Sequence, residues 1–155
     1  VQYDGESLLP DGNWIYTLED AQYSPVSGDT YAKGVSDLCA LEDGRIIVLE
    51  REALVSPSSF SANTITKIFI VNPAKASLGT TLEKTLLSSW TTTDSMLSIL
   101  SKGYFDFANY EGMCLGPRIA DGSRLLILIT DSQNRYSVGS YSLKDFWRTL
   151  RLYGI

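Results

Sequence analysis

Histidine is absent from all 155 residues, which removes a Ser-His-Asp triad, a Cys-His pair and the usual zinc site from this chain. Any catalysis falls to carboxylates, Lys, Arg, Tyr, a metal, or residues of another segment. Cysteine is scarce. Cys39 and Cys114 are too few for a disulfide framework and leave open one bridge or two buried thiols. Positive charge is also short: 13 Lys and Arg stand against 18 Asp and Glu, for a net charge of -5. The basic residues are scattered, which argues against nucleic acid as a partner, because phosphate binding needs a concentrated positive surface. The longest apolar runs, such as Leu125 to Ile129, fall far short of the roughly 20 residues of a bilayer span, so no transmembrane segment is expected. The chain opens at Val1 without Met, a basic n-region or an apolar h-region, and an upstream signal peptide or domain is expected to have been removed.

What is present is a repeated pattern. With 44% hydrophobic and 20% charged residues the chain has the balance of a packed globular protein. Asp4 to Asp20, Ser36 to Glu52 and Tyr110 to Ser132 share a layout: an acidic head, an Asp-Gly pair, then a hydrophobic strand closing on charge. Asp11-Gly12, Asp43-Gly44 and Asp121-Gly122 suit tight turns, since Gly tolerates positive φ and Asp bonds its own backbone. The strands after them, Trp14 to Tyr16, Arg45 to Leu49 and Leu125 to Ile129, are rich in β-formers, and such continuous runs suit a sheet covered on both faces. Third strands are expected at Thr66 to Val71 and Ser137 to Leu143. Between the second and third units, Leu82 to Leu87 reads as an added strand and Ser95 to Ser101 as a short helix with Ser95 at its N-terminus.

Three or four antiparallel strands per unit is the layout of a propeller blade. The chain therefore reads as all-β, a single segment over 1–155 with repeat-like units near 4–34, 35–75 and 104–145. Three units do not close a ring of typically 4 to 8 blades, so the remaining part of the propeller is the expected partner. The acidic heads Glu6, Asp37 and Glu111 are unevenly spaced, and an insertion or a short extra blade is expected in the second gap. A self-contained β-sandwich also suits the strand pattern.

The strings GVSDLCALEDGRIIVLERE and NYEGMCLGPRIADGSRLLILITDSQN resemble the phytase-like family, in which an Asn-x-Glu-Gly strand is followed by a turn, a hydrophobic strand and Ser-Asp-x-Asn. The matching residues are Asn109, Glu111, Gly112, Asp131 and Asn134, with Thr130 where Ser is commoner. Ser36, Asp37, Glu50 and Arg51 match the family's Ser-Asp-Leu and Leu-Glu-Arg segments. The resemblance implies a β-propeller that is secreted, periplasmic or on the outer surface, commonly bacterial, and hydrolysis of a small phosphate or carboxylic ester.

Blade inner strands run beside a central channel, so equivalent residues converge there. Glu6, Asp37, Glu50 and Glu111 are candidate ligands for Ca²⁺, a hard cation preferring six to eight oxygens. Such an ion polarises an ester oxygen and lowers the pKa of bound water. Glu111 and Asp131 are the candidate catalytic residues, and Gly112 permits close backbone approach. Arg51 is the candidate substrate-binding residue, through its planar fork, or else an ion-pair partner of Glu50 or Asp37. Ser36 and Ser132 adjoin acidic residues, but a serine without a base is inert at neutral pH. The competing reading makes these acids blade anchors that accept backbone N–H bonds from the next blade, in a non-enzymatic envelope propeller serving as a binding or scaffold module. Aromatics such as Trp14, Trp90 and Trp147 read as core or sheet cover, and the cysteines as filling the sheet interface.

Overall fold

The two Asp-Gly pairs at 43–44 and 121–122 close hairpins of the same geometry. Gly44 and Gly122 take φ of 85° and 82°, a region open to Gly at little cost. Asp43 and Asp121 accept from the backbone N–H two residues on, at 3.1 and 3.0 Å. The computed structural model describes residues 2–3, 5–9, 12–95, 100–101, 107–132, 137–138, 141–142 and 145–155. Asp11 lies outside them.

The first hairpin joins β3 (Thr30–Ala40) to β4 (Ile46–Ser56), and the sheet continues through β5 (Ser61–Val71) and β6 (Lys84–Ser95) as a four-stranded antiparallel meander. The second joins β7 (Tyr110–Arg118) to β8 (Arg124–Thr130), with β11 (Trp147–Leu152) beyond β8 in a three-stranded antiparallel sheet. Short pairs complete the described strands: β1 (Gln2–Tyr3) with β2 (Leu8–Leu9), and β9 (Ser137–Val138) with β10 (Tyr141–Ser142). The fold is all-β, and up-and-down sheets of four and three strands are those of a partial propeller.

Strand β4 shows why its apolar run is continuous. Side chains alternate along a strand, and here both faces are covered. Ile47 and Leu49 join Ile68 and, from the second sheet, Leu126, Leu128, Tyr110 and Met113 in the main core. Val48 faces the other way, with Phe69 and Val71, under Tyr16 and Leu82 of flanking segments.

Three expected elements differ. Trp14 to Tyr16 is not a hairpin strand: Ile15 makes an isolated parallel bridge with Thr81. Its N–H donates to Thr80 O and its O accepts from Leu82 N, at 2.9 and 2.8 Å. The segment is held by the connection between β5 and β6 rather than by a hairpin partner of its own. Of the strand expected at Ser137 to Leu143, residues 139, 140 and 143 lie outside the described set and Ser137–Val138 pairs with Tyr141–Ser142. The third strand of the sheet is β11, because Phe146, Leu150 and Leu152 turn inward in a stretch whose alternate positions are Trp147, Thr149 and Arg151. The second gap holds the fourth strand of the first sheet, with β6 running to Ser95, the residue expected to start a helix. Residues 96–99 lie outside the described set.

Candidate functional site

The alternation of β4 sends its charged residues to opposite sides. Glu50 and Glu52 share the face that meets the N-terminal segment. Glu50, 4% exposed, accepts from Tyr16 OH at 2.6 Å, Glu19 N at 3.2 Å and Lys84 Nζ at 2.8 Å. Glu52, 5% exposed, accepts from Gln22 N at 2.9 Å, Tyr23 N at 2.8 Å and Tyr31 OH at 3.0 Å. These buried carboxylates tie residues 16–23 to the sheet.

Lys84 bridges Glu50 and Glu19 at 2.8 and 2.9 Å. Desolvation pulls its pKa down, but the carboxylate hydrogen bonds outweigh it and hold the ammonium above its ordinary 10.5. Burial first, then the bond to Glu50, pushes the Tyr16 phenol far above its ordinary 10.0. Both folded-state pKa values are raised, so their stabilisation is present below about pH 10 and is lost as pH rises beyond it. Urea midpoints should fall above about pH 10, and Tyr16→Phe should reduce that slope. An unchanged alkaline slope in the variant would remove Tyr16 from this account.

Arg51 points the other way, across to the second sheet. Its Nη1 lies 2.7 Å from Glu111 Oε1 and donates to Asn109 Oδ1. Asn109 Nδ2 donates to the same Glu111 oxygen at 2.6 Å. The Asn and Glu of the Asn-x-Glu-Gly strand thus meet the Arg of Leu-Glu-Arg in one hydrogen-bonded triangle. Arg51 cannot pair with Glu50 because adjacent strand residues face apart. Arg51, Glu111, Lys33 and Ser36 line a cleft of about 340 Å³ beside β3.

Both first strands carry a bulge here, a device that re-aims side chains. Val35 pairs with Glu50 and Asp37 with Leu49, leaving Ser36 extra; Tyr110 pairs with Thr130 and Gly112 with Ile129, leaving Glu111 extra. Ser36 therefore matches Glu111, and Asp37 matches Gly112, one residue away from the equivalence of Asp37 with Glu111 expected from the acidic heads. Asp37 accepts from Met113 N of the neighbouring sheet at 2.5 Å and from Leu38 N at 2.8 Å. A Cβ on Gly112 would stand 2.8 Å from Ile129 Cγ2, so what approaches this glycine is a side chain.

Asp131 is exposed just past β8, and its N–H donates to Asn109 O at 3.2 Å. Glu6 is exposed between β1 and β2. Asn134 lies outside the described residues. Ser132 is buried, with its N–H on Asp145 Oδ1 at 3.1 Å. Cys39 packs on the main core while Cys114 is exposed, and both are free thiols, so only the first fills the interface between the two sheets. Trp90 meets Tyr110 edge-on at 5.6 Å, whereas Trp147 is exposed.

Three of the candidate calcium ligands have other partners among the described residues. Glu50 is neutralised by Lys84, Glu111 by Arg51, and both Asp37 oxygens accept from backbone N–H groups. Among the described residues no three of His, Cys, Asp and Glu cluster as metal ligands. Glu52 and Lys84 carry no motif that marks them in the sequence, and the Asn-x-Glu spacing is the available signal for the positioning role of Asn109.

A family model described as phytase-like, with esterase-like activity of phytase, matches residues 1–133. No curated protein and no solved structure matches the chain.

Proposed function

The chain belongs to the phytase-like family, and on that premise we propose that it is part of an ester or phosphoester hydrolase whose site is the cleft between β3 and β7. The observation that carries this reading is the Arg51, Asn109 and Glu111 triangle, which joins two family segments at one solvent-accessible spot. Arg51 and Lys33 offer positive charge to the ester's anionic oxygens, and Arg presents a fork suited to them. Glu111, held by Asn109, takes a proton from a water whose oxygen attacks the carbonyl carbon or phosphorus, and returns it to the ester oxygen as that bond breaks, so that the alcohol leaves.

The rest of the propeller belongs to this proposal. In the first sheet, the face of Ile47 and Leu49 is covered by the second sheet. The corresponding face of the second sheet leaves Cys114 and Trp147 exposed beside half-buried Ile127 and Ile129, which a further blade would cover. No helix of the described residues is long and apolar enough to cross a membrane. We propose a secreted, periplasmic or outer-surface setting, in keeping with the family; fractionation that finds the protein only in the cytoplasm would rule it out.

One observation favours a binding or scaffold propeller instead. Asp37, Glu50 and Glu52 all accept backbone N–H groups from neighbouring segments, as architectural anchors do. An assay of the full-length protein on p-nitrophenyl acetate, p-nitrophenyl phosphate and phytate, with Ca²⁺ and with chelator, separates the readings. Turnover of any of these is the expected result, and a chelator-sensitive rate would mean that calcium is held with residues elsewhere in the ring. No turnover under either condition would move the assignment to the scaffold.

A further inference from the structure

Ser36 is the residue that the proposed reaction leaves unused. It sits at the β3 bulge, in the position that Glu111 holds on β7, and lines the same cleft as Arg51, Lys33 and Glu111. Its Oγ is buried and has no hydrogen-bond partner among the described residues. A buried hydroxyl left unpaired is destabilising, and such orphans in native structures call for an explanation. The serine's own strand offers none: the extra residue drops out of the ladder, and the neighbouring Asp37 is committed to Met113 N and Leu38 N.

We infer that the Ser36 hydroxyl, buried in the ligand-free fold, turns about χ1 into the cleft to act as a binding residue, donating to an oxygen of the ester's phosphoryl or carboxyl group while Arg51 takes the charge. This rests on the hydrolase reading for the location of the site, but it concerns binding alone. With Lys33 and Arg51 against Glu111, the cleft carries one net positive charge, so an anionic head group gains both a counter-charge and a donor there. The hydroxyl acts as a donor and not as a nucleophile: in the proposed reaction Glu111 serves the attacking water, and the neighbouring carboxylate of Asp37 accepts from Met113 N and Leu38 N.

The test is titration of the full-length protein with inorganic phosphate, by calorimetry and ³¹P line broadening, in wild type, Ser36→Ala and Ser36→Thr. A hydrogen bond to a charged group predicts a Kd about tenfold or more weaker in Ser36→Ala. Ser36→Thr, which keeps the hydroxyl, should recover much of the loss, and the melting temperature of Ser36→Ala should hold or rise. Phosphate binding that needs Ser36 in a protein without turnover would sustain this inference and sink the hydrolase. Turnover in a protein whose phosphate affinity ignores Ser36, or that binds no phosphate, would do the reverse.

Discussion

Glu52→Ala is expected to lower the free energy of unfolding by about 3 kcal/mol. The side chain is 5% exposed and accepts from two backbone N–H groups, of Gln22 and Tyr23, and from Tyr31 OH. Removing it strands three donors, each costing about 1–3 kcal/mol if it stays buried. Part of that is recovered if the segment lifts away and the donors hydrate. Lifting has its own signature, because residues 12–29 contain no helix or sheet strand of their own before Thr30. Urea unfolding should show the loss, and limited proteolysis should show earlier cutting within 12–29. Glu52→Gln keeps one acceptor oxygen and should cost less. A loss under about 1 kcal/mol for the alanine variant would mean that hydration of the freed donors replaces the carboxylate almost fully.

The legible part of this protein was set by local chemistry. Asp43-Gly44 and Asp121-Gly122 each specify a turn by themselves, and the runs at 46–49 and 125–129 announce strands, the first covered on both faces and the second buried through Leu126 and Leu128 on one. What was not legible depended on partners far along the chain. Trp14 to Tyr16 has strand composition, yet its fate was decided by residues 79–82. Strand β11 escaped notice because Trp147, Thr149 and Arg151 alternate with its inward residues and blur the apolar signal. The start of β6 was legible in the apolar residues of Leu82 to Leu87, but beyond them Ser and Thr dominate, and only pairing along β5 carries the strand to Ser95.

The site was legible to the same depth. Arg51 and Glu111 stood out as residue types and as family matches, but their contact belongs to the packing of one sheet on another. The one-residue bulges at Ser36 and Glu111 leave no mark in sequence, so aligning acidic heads put Asp37 where Ser36 belongs. A slip of one residue turns a side chain to the other face, which is why that error changed which groups meet in the cleft. Asp37 and Glu50 accept backbone N–H groups of neighbouring segments, the kind of contact considered for the acids as anchors, and Glu52, which was not among them, does the same.

Glu111→Gln carries the largest expected effect on activity. The amide keeps the size of the side chain and a donor-acceptor pair for Asn109 and Arg51, but it takes up a proton from water poorly. Loss of a general base typically costs about 10²- to 10⁴-fold in rate. The pair with Arg51 is partly exposed, at 22% and 30% for the two side chains, so the stability cost should be small, under about 1 kcal/mol. The two readouts therefore separate, which they would not do if Glu111 were only an anchor.

The most direct measurement is kcat/KM of the full-length protein, wild type against Glu111→Gln, on the ester that the wild type turns over best, with the melting temperature taken on the same samples. The cleft account predicts a fall of about 100-fold or more with the melting temperature nearly unchanged. Equal kcat/KM in the two proteins would contradict it and leave the Arg51–Glu111 pair as a clasp between sheets.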